Sequence, residues 1–294
     1  MRTFGVLLLA ALASCSAWSK LRPPAASDLL RIEGHVDRGP FGLSAADLAK
    51  LERRTLRGVD PRGGREAAYA GASLPPFFNE GLPLLRGADT AFFHGRGGYV
   101  AAVPLNAIRQ SQPVLADQMD GKPLAEASPE SGPLLLAWPD AEAPGLGTDS
   151  RQRWYWVRGV ERIELGPWQE TVGRATRVPL GASGEARLGA DVFARQCFQC
   201  HRLRGRGGVV GPELTRLGVE KPDLDVVALL ASHLAPRSGI PGAPELAPAA
   251  AQQVAAFLKV VARAGADRPE DEVRPPAPRQ PSPGYPVPPP ASRP

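Results

Sequence analysis

A five-residue run, Cys197-Phe198-Gln199-Cys200-His201, constrains the fold of this chain more than any other part of its sequence. Two cysteines separated by two residues and followed at once by histidine are typical of covalent attachment of a c-type haem. The spacing suits this chemistry, because each thiol must reach one vinyl group of the same porphyrin while His201 lies under the iron as its axial ligand. The run therefore predicts one covalent haem c, attached through Cys197 and Cys200.

Two other interpretations of the same cysteines are weaker. A zinc site would need further cysteine or histidine ligands at suitable spacing, and the only other cysteine is Cys15. A thioredoxin-like dithiol would follow a strand, whereas the residues before Cys197 have helical spacing. Three cysteines in all leave no pair for a disulfide framework once two of them carry haem.

The composition favours two globular domains and argues against nucleic-acid binding. A chain of 294 residues, 43% of them hydrophobic, is long enough for two cores. Its formal net charge of +5 is small, and the sequence has no basic stripe interleaved with aromatic residues. We therefore expect most arginines on a solvated surface and no nucleic-acid partner.

The N-terminus has the features of an export signal. Residues 6–12 are apolar but too few to span a bilayer as a permanent helix. The run Leu12-Ala13-Ser14-Cys15 resembles a bacterial lipobox, at which the precursor is cleaved and the cysteine acylated, so the resemblance implies a lipid anchor on Cys15. Cleavage by an ordinary signal peptidase near Cys15 is the alternative. Both interpretations predict export, and the first predicts a lipoprotein anchored on the periplasmic side of a membrane.

Short strands and short helices alternate between residues 28 and 170, which predicts an α+β domain. Ser44 and Asp47 form a capping box that begins a short helix, and residues 69–75 are expected to form a turn that leads into a second short helix around Phe77 and Phe78. His94 is expected in a loop where a ligand pocket could form, with an ordinary histidine at the edge of the core as the alternative. The predicted strands are residues 29–36, 98–105, 134–138, 154–157 and 160–165.

Several stretches of this domain occur in an order typical of one known family. They are Ile32-Glu33-Gly34, residues 44–48, residues 69–74, residues 97–100, Pro104-Leu105, residues 121–124, residues 132–136 and residues 156–163. In this order they resemble the molybdopterin-binding domain of the sulfite-oxidase family. In that family a cysteine thiolate holds the molybdenum, and this sequence has no cysteine between Ser16 and Gln196. The resemblance therefore implies a cofactor-free relative of the fold, with molybdopterin not expected and no catalytic residue carried over.

From Ser183 the hydrophobic residues follow helical spacing, after a linker at residues 171–182. Gly189 lies inside the first helix, where glycine costs about 1 kcal/mol relative to alanine. Its presence predicts a close helix crossing, with Phe257 of a C-terminal helix as the partner. Further helices are predicted at residues 224–234 and 248–264.

Two runs flank the haem-attachment run, residues 189–193 before it and residues 211–214 after it. With these runs and the C-terminal helix, residues 183–266 resemble a class I cytochrome c domain. The resemblance implies an all-α fold built around one haem. It also implies that the carbonyl oxygen of Pro212 accepts a hydrogen bond from the free ring N–H of His201, which fixes the tautomer.

The second axial ligand departs from that family, which places methionine in a loop after the third helix. The corresponding run here is Ser238-Gly239-Ile240-Pro241, and isoleucine does not bind iron. His233, just before this loop, is the nearest candidate. An open site and an oxygen or water ligand are the alternatives. Without methionine, we expect a lower redox potential, because that ligand raises it.

The sequence thus predicts a multidomain, exported protein that carries single electrons between redox partner proteins. Its N-terminal domain is expected to bind a partner or a ligand rather than to catalyse a reaction. Two alternatives stay open, a haem-containing oxidoreductase of the molybdopterin type and a haem-based sensor that binds a ligand. The predicted parts are a signal peptide with lipobox at 1–15, a tether at 16–27, a sulfite-oxidase-like α+β domain at 28–170, a linker at 171–182, an all-α cytochrome c domain at 183–266 and a Pro-rich disordered tail at 267–294.

Overall fold

The described part of the computed structural model comprises residues 21–61, 65–139, 152–221, 224–233 and 246–266. The predicted signal peptide with Cys15, the loop around Ile240 and the predicted tail at 267–294 lie outside the described residues. Within the described ranges, no helix combines the length and apolar character needed to cross a membrane.

Strands and short helices alternate as far as residue 166, and longer helices follow. The strands are β1 (Leu30–Gly34), β2 (Phe41–Leu43), β3 (Arg53–Val59), β4 (Glu66–Ser73), β5 (Thr90–Gly95), β6 (Val100–Pro104), β7 (Val114–Met119), β8 (Lys122–Pro123), β9 (Leu135–Ala137), β10 (Val157–Arg158), β11 (Val160–Gly166), β12 (Arg202–Leu203) and β13 (Arg206–Gly207). The α-helices are α1 (Ala45–Leu48), α2 (Leu74–Pro76), α3 (Leu105–Ser111), α4 (Leu124–Ala127), α5 (Gly184–Gln196), α6 (Leu217–Glu220), α7 (Val226–His233) and α8 (Pro248–Ala266). Other helical turns occupy Phe77–Gly81, Gln152–Tyr155 and Gln169–Gly173.

Two sheets share one hydrophobic core. Sheet one has the strand order β2-β1-β11-β5-β6, in which β1 and β11 are parallel and the other neighbours are antiparallel. Sheet two has the order β10-β9-β7-β4-β3, with β8 beside β7. Because side chains alternate across a strand, Ile32 and Ile163 of sheet one enter the core together with Leu115 and Leu136 of sheet two. The structure therefore has the mixed α and β content that the sequence predicts.

One local prediction for this domain is confirmed and another is wrong. The hydroxyl of Ser44 accepts a hydrogen bond from the N–H of Asp47, and the Asp47 carboxylate accepts one from the N–H of Ser44, so the capping box is present. The predicted turn at residues 69–75 is instead largely part of β4. Its small residues allow a close approach to β7, because a Cβ on Gly71 would overlap the carbonyl oxygen of Leu115.

Two further predictions are corrected. His94 lies in β5, not in a loop. Its neighbour Phe93 faces the core, so the side chain of His94 points to the other face of sheet one. The strand predicted at residues 154–157 is a helical turn followed by β10. The carbonyl oxygen of Tyr155 there accepts a hydrogen bond from Nε1 of Trp138 at 3.0 Å, so it binds a side chain instead of a neighbouring strand.

The close crossing predicted from Gly189 is confirmed. A Cβ at this position of α5 would overlap the carbonyl oxygen of Gln253 in α8. Phe257 packs beside it, with its ring centroid 5.7 Å from that of Phe193. Ser183 caps the start of α5 through its hydroxyl, as predicted. The helices predicted at residues 224–234 and 248–264 correspond to α7 and α8.

The helical domain packs on the outer face of sheet one. Val100 of β6 belongs to the same hydrophobic cluster as Phe198, which lies between the two cysteines. The N–H of Val100 donates to the carbonyl oxygen of Gln199 at 3.0 Å, and the N–H of Val209 donates to that of Gly98 at 2.8 Å. The segment with both cysteines is therefore fixed against the α+β domain by backbone hydrogen bonds.

Candidate functional site

Cys197 and Cys200 lie on one tight turn at the end of α5. Cys197 is the C-cap residue, and its carbonyl oxygen accepts hydrogen bonds from the N–H groups of Cys200 at 3.1 Å and His201 at 2.9 Å. Neither side chain is in a disulfide, and Cys197 is buried while Cys200 is half-buried. The turn therefore presents two thiols and an imidazole from five consecutive residues.

The raised pKa of Cys197 distinguishes this pair of cysteines from a redox dithiol. Burial, with a smaller contribution from Cys200 beside it, raises the pKa of the Cys197 thiol to about 12. Reactive cysteines in Cys-X-X-Cys motifs have a lowered pKa, because the thiolate is the nucleophile. The shift at Cys197 has the opposite direction. Together with the helix that precedes it, this argues against thioredoxin-like chemistry.

The imidazole of His201 is held in one orientation. Its Nδ1 lies 2.9 Å from the carbonyl oxygen of Pro212, so Nδ1 carries the proton and donates a hydrogen bond, which is the contact that the resemblance of the flanking runs implies. A Cβ on Gly211 would overlap the imidazole ring, so the backbone of Gly211 lies directly against it. Burial lowers the pKa of His201 below its ordinary value, and His233 adds to the lowering. The ring is therefore neutral, and its Nε2 has a free electron pair for a metal.

The fold brings His233 to His201. His233 is the last residue of α7, and its ring centroid lies 5.7 Å from that of His201, with the ring planes inclined by 57°. The other two histidines of the sequence, His35 and His94, lie in the α+β domain. The sequence makes His233 a candidate axial ligand only through its position before the loop. The structure shows that its ring is a direct neighbour of the His201 ring.

These side chains fit a haem better than a metal ion bound by protein alone. Two thiols on one turn and an imidazole with a fixed tautomer are the donors that a haem c requires. Among the described residues, no group of three or more histidine, cysteine, aspartate or glutamate side chains is arranged to hold a metal ion. Cys197, Cys200 and His201 are the residues that could hold a cofactor, and the ring of His233 lies 5.7 Å from that of His201.

A second feature, which we call the interdomain cleft, lies between sheet one and the β12–β13 hairpin. Its volume is about 1020 Å³. Sheet one contributes charged side chains from one face of β1 and β11, where Arg31 and Glu33 neighbour Arg162 and Glu164. The apolar residues between them face the core. Its arginines are Arg31, Arg96, Arg162, Arg202, Arg204 and Arg206.

Arg162 is the centre of a polar network in this cleft. It donates hydrogen bonds to Glu33 at 2.7 Å, to Glu164 at 2.9 Å and to Nδ1 of His94 at 2.7 Å. Because Nδ1 accepts a hydrogen bond from Arg162, His94 is neutral with its proton on Nε2, which lies 3.3 Å from the Glu164 carboxylate. Burial lowers the pKa of His94, and the interactions with His94 and then Arg162 lower the pKa of Glu164 to about 2.

The sequence analysis singled out His94 but missed its partners. His94 does line a cavity, although from a strand rather than from a loop. The missed signal was a repeated tripeptide, Arg-Ile-Glu, which occurs at residues 31–33 and again at residues 162–164. In two neighbouring strands, this pattern places isoleucine in the core and the charged pair on the outer face.

Comparisons with known proteins were made for the whole chain. No protein-family model and no curated protein matches the sequence. Among solved structures, the sulfane dehydrogenase SoxCD from Paracoccus pantotrophus is similar, with a TM-score of 0.37 and 16% sequence identity. The match covers 50% of this chain and 40% of that chain. A TM-score this low does not establish a shared fold or function.

Proposed function

We propose that this chain is an exported monohaem c-type cytochrome that carries single electrons. Cys197 and Cys200 would bind the haem covalently, and His201 would bind its iron. The observation that supports this best is the 2.9 Å contact between Nδ1 of His201 and the carbonyl oxygen of Pro212, which leaves Nε2 of the same ring as the metal ligand. A haem bound here supplies one-electron chemistry, with the iron alternating between ferrous and ferric states.

The protein contributes the orientation of the axial ligand His201. Pro212 and Gly211 hold the His201 ring from two sides, so the ring keeps its orientation in both redox states. His233 is the proposed second axial ligand, because its ring lies 5.7 Å from that of His201 between centroids. Two histidine ligands would give a lower redox potential than histidine with methionine.

For the N-terminal domain we propose a sulfite-oxidase-like fold that holds no molybdenum and serves to dock a redox partner or a ligand. The two-sheet architecture of mixed α/β content supports this proposal. The lack of any cysteine between Ser16 and Gln196 argues against a molybdenum centre. Acylation of Cys15 would anchor the exported protein to a membrane.

The proposal is tested by expressing the full chain in a bacterium that exports it and attaches haem c. Spectra of the oxidised and reduced protein should show a c-type haem that remains bound after denaturation and acid extraction. The variant with Cys197→Ser and Cys200→Ser is the matched control and should lose haem on extraction. Metal analysis should find iron without molybdenum. A haem-free protein, or one with molybdenum or a pterin, would contradict the proposal.

A further inference from the structure

We propose that the interdomain cleft is a binding site for a multiply charged organic oxyanion, held by guanidinium groups from both domains. This inference goes beyond electron transfer and assigns the haem no direct part in binding the anion. It rests on the charge of the cleft, the pairing of its acidic groups, one unsatisfied donor and the size of the space.

The lining of the cleft is strongly cationic. Six arginines line it against three glutamates, Glu33, Glu161 and Glu164. With His94 neutral, the formal charge of the lining is +3. A cleft lined mainly by one sign of charge concentrates the field between its walls and attracts ligands of the opposite sign.

Two of the three glutamates in the lining, Glu33 and Glu164, are already paired within sheet one. Glu33 accepts from Nε of Arg31 at 2.6 Å and from Arg162 at 2.7 Å, and Glu164 accepts from Arg162 at 2.9 Å. These carboxylates therefore do not neutralise the arginines of the opposite wall. The excess positive charge of the lining therefore lies on that wall, where Glu213, outside the lining, forms a long ion pair with Arg202 at 3.7 Å.

The opposite wall is the β12–β13 hairpin, with arginines at every second position. Arg202, Arg204 and Arg206 are all half-buried there. Arg204 is held in place by the carbonyl oxygens of Ala175 and Arg177, at 3.0 and 2.7 Å. Half-buried arginines lose part of their hydration, so an anion that binds to them recovers hydrogen bonds that water no longer supplies.

Arg202 carries an unsatisfied donor. Its Nε is buried without a hydrogen-bond partner among the described residues, and the nearest carboxylate, that of Glu213, is 3.7 Å away. A buried guanidinium N–H without an acceptor is unfavourable. An oxygen atom of a bound anion would satisfy it.

The size and lining of the cleft indicate an organic ligand. A volume of about 1020 Å³ is at the upper end of the range for sites that bind small molecules, and a single inorganic ion would leave most of it empty. Phe92, Phe198 and Val209 add apolar surface to the charged lining. Carboxylate and phosphoryl oxygens both form bidentate hydrogen bonds with guanidinium groups. The experiment below therefore compares a carboxylate ligand with a phosphoryl ligand.

The test is isothermal titration calorimetry on the full mature chain, with citrate, pyrophosphate and inorganic phosphate as probes. Sodium chloride at matched ionic strength measures non-specific screening. We expect saturable binding of citrate or pyrophosphate, and the preferred probe identifies the ligand as a carboxylate or a phosphoryl compound. The variant with Arg202→Gln and Arg206→Gln should bind at least about tenfold more weakly, because two charge-assisted hydrogen bonds are lost.

The control variant carries Arg187→Gln and Arg216→Gln. It loses the same charge from the same domain, but neither residue lines the cleft, so its affinity should equal that of the wild type. If the cleft variant does not fold by circular dichroism, Arg206→Gln alone replaces it. Failure of all three probes to bind saturably, or equal affinity in the cleft and control variants, would overturn the proposal. Because calorimetry does not depend on haem, these results are independent of the proposed electron transfer.

Discussion

The imidazole rings of His201 and His233 lie 5.7 Å apart between centroids, although the two residues belong to different segments of the helical domain. Helix α7 ends at His233 and so places a second imidazole beside the one that Pro212 orients. Coordination by two histidines is therefore the arrangement that we expect at the proposed haem.

Replacing His233 should open the second axial position. In His233→Ala we expect the spectrum to change from six-coordinate, low-spin haem to five-coordinate, high-spin haem. The reduced variant should then bind carbon monoxide readily, whereas the wild type should resist it. His35→Ala, in the other domain, is the control and should leave the spectrum unchanged. A methionine-ligation band in the wild type, or an unchanged spectrum in His233→Ala, would show that His233 is not the ligand.

Gly189 should be intolerant of a side chain. In Gly189→Ala the added Cβ would overlap the carbonyl oxygen of Gln253, so we expect a loss of about 1–3 kcal/mol in the free energy of unfolding. Gly184→Ala is a matched control in the same helix, because a Cβ there meets no atom within 4 Å. Thermal unfolding by circular dichroism should give a lower Tm for Gly189→Ala and an equal or higher Tm for Gly184→Ala. Equal Tm values for Gly189→Ala and the wild type would contradict the close crossing.

Much of the helical domain could be predicted from the sequence because its signals are local. Ser183 before the helical spacing indicates a cap within one helix, Gly189 inside it indicates a close neighbour in another helix, and the runs around the two cysteines indicate the contact of His201 with Pro212. The structure has the cap and the contact with Pro212 as predicted. The glycine correctly indicated a helix crossing, since only a close neighbour makes a small residue necessary there.

The interdomain cleft could not be predicted, because it depends on pairing between distant strands. Glu33 and Arg162 form an ion pair only because β1 and β11 are parallel neighbours. The repeated Arg-Ile-Glu tripeptide indicates which side chains share a face of each strand, but not that these two strands pair in this register. The stretch around Gly71 was misassigned for a related reason. Small residues favour a turn when considered alone, whereas here they allow β4 to approach β7 closely.

The polar network should make the fold sensitive to acid. The pKa of His94 is lowered in the folded state, so below its ordinary value of 6.5 the unfolded state takes up a proton first and stability falls. The pKa of Glu164 is about 2 instead of 4.5, so its contribution is complete above 4.5 and is lost as the pH falls from there towards 2. Measured between about pH 7 and pH 3, Tm should therefore fall in both ranges.

Glu164→Gln isolates the second part of this acid response. We expect its Tm to depend less on pH than that of the wild type below about pH 4.5, while the decrease near pH 6.5 persists. Glu170→Gln, at an exposed carboxylate outside the network, should keep the wild-type profile. Identical profiles for Glu164→Gln and the wild type below pH 4.5 would contradict the role assigned to Glu164.

The helical domain should depend on haem for its stability. A domain of about 85 residues buries little surface by itself, and a porphyrin would supply part of its core. In the variant with Cys197→Ala and Cys200→Ala, we expect less helical signal by circular dichroism and faster proteolysis between α5 and α8. A haem-free variant whose helical domain unfolds cooperatively at the wild-type Tm would contradict this expectation.

The most direct test of the central claim is the intact mass of the mature protein after export from a cell that attaches haem c. We predict a mass that exceeds that of the processed and modified polypeptide by one haem, and the excess should disappear when both Cys197 and Cys200 are replaced. A polypeptide from such a cell without the added mass of a haem would contradict covalent attachment, and with it the proposed function.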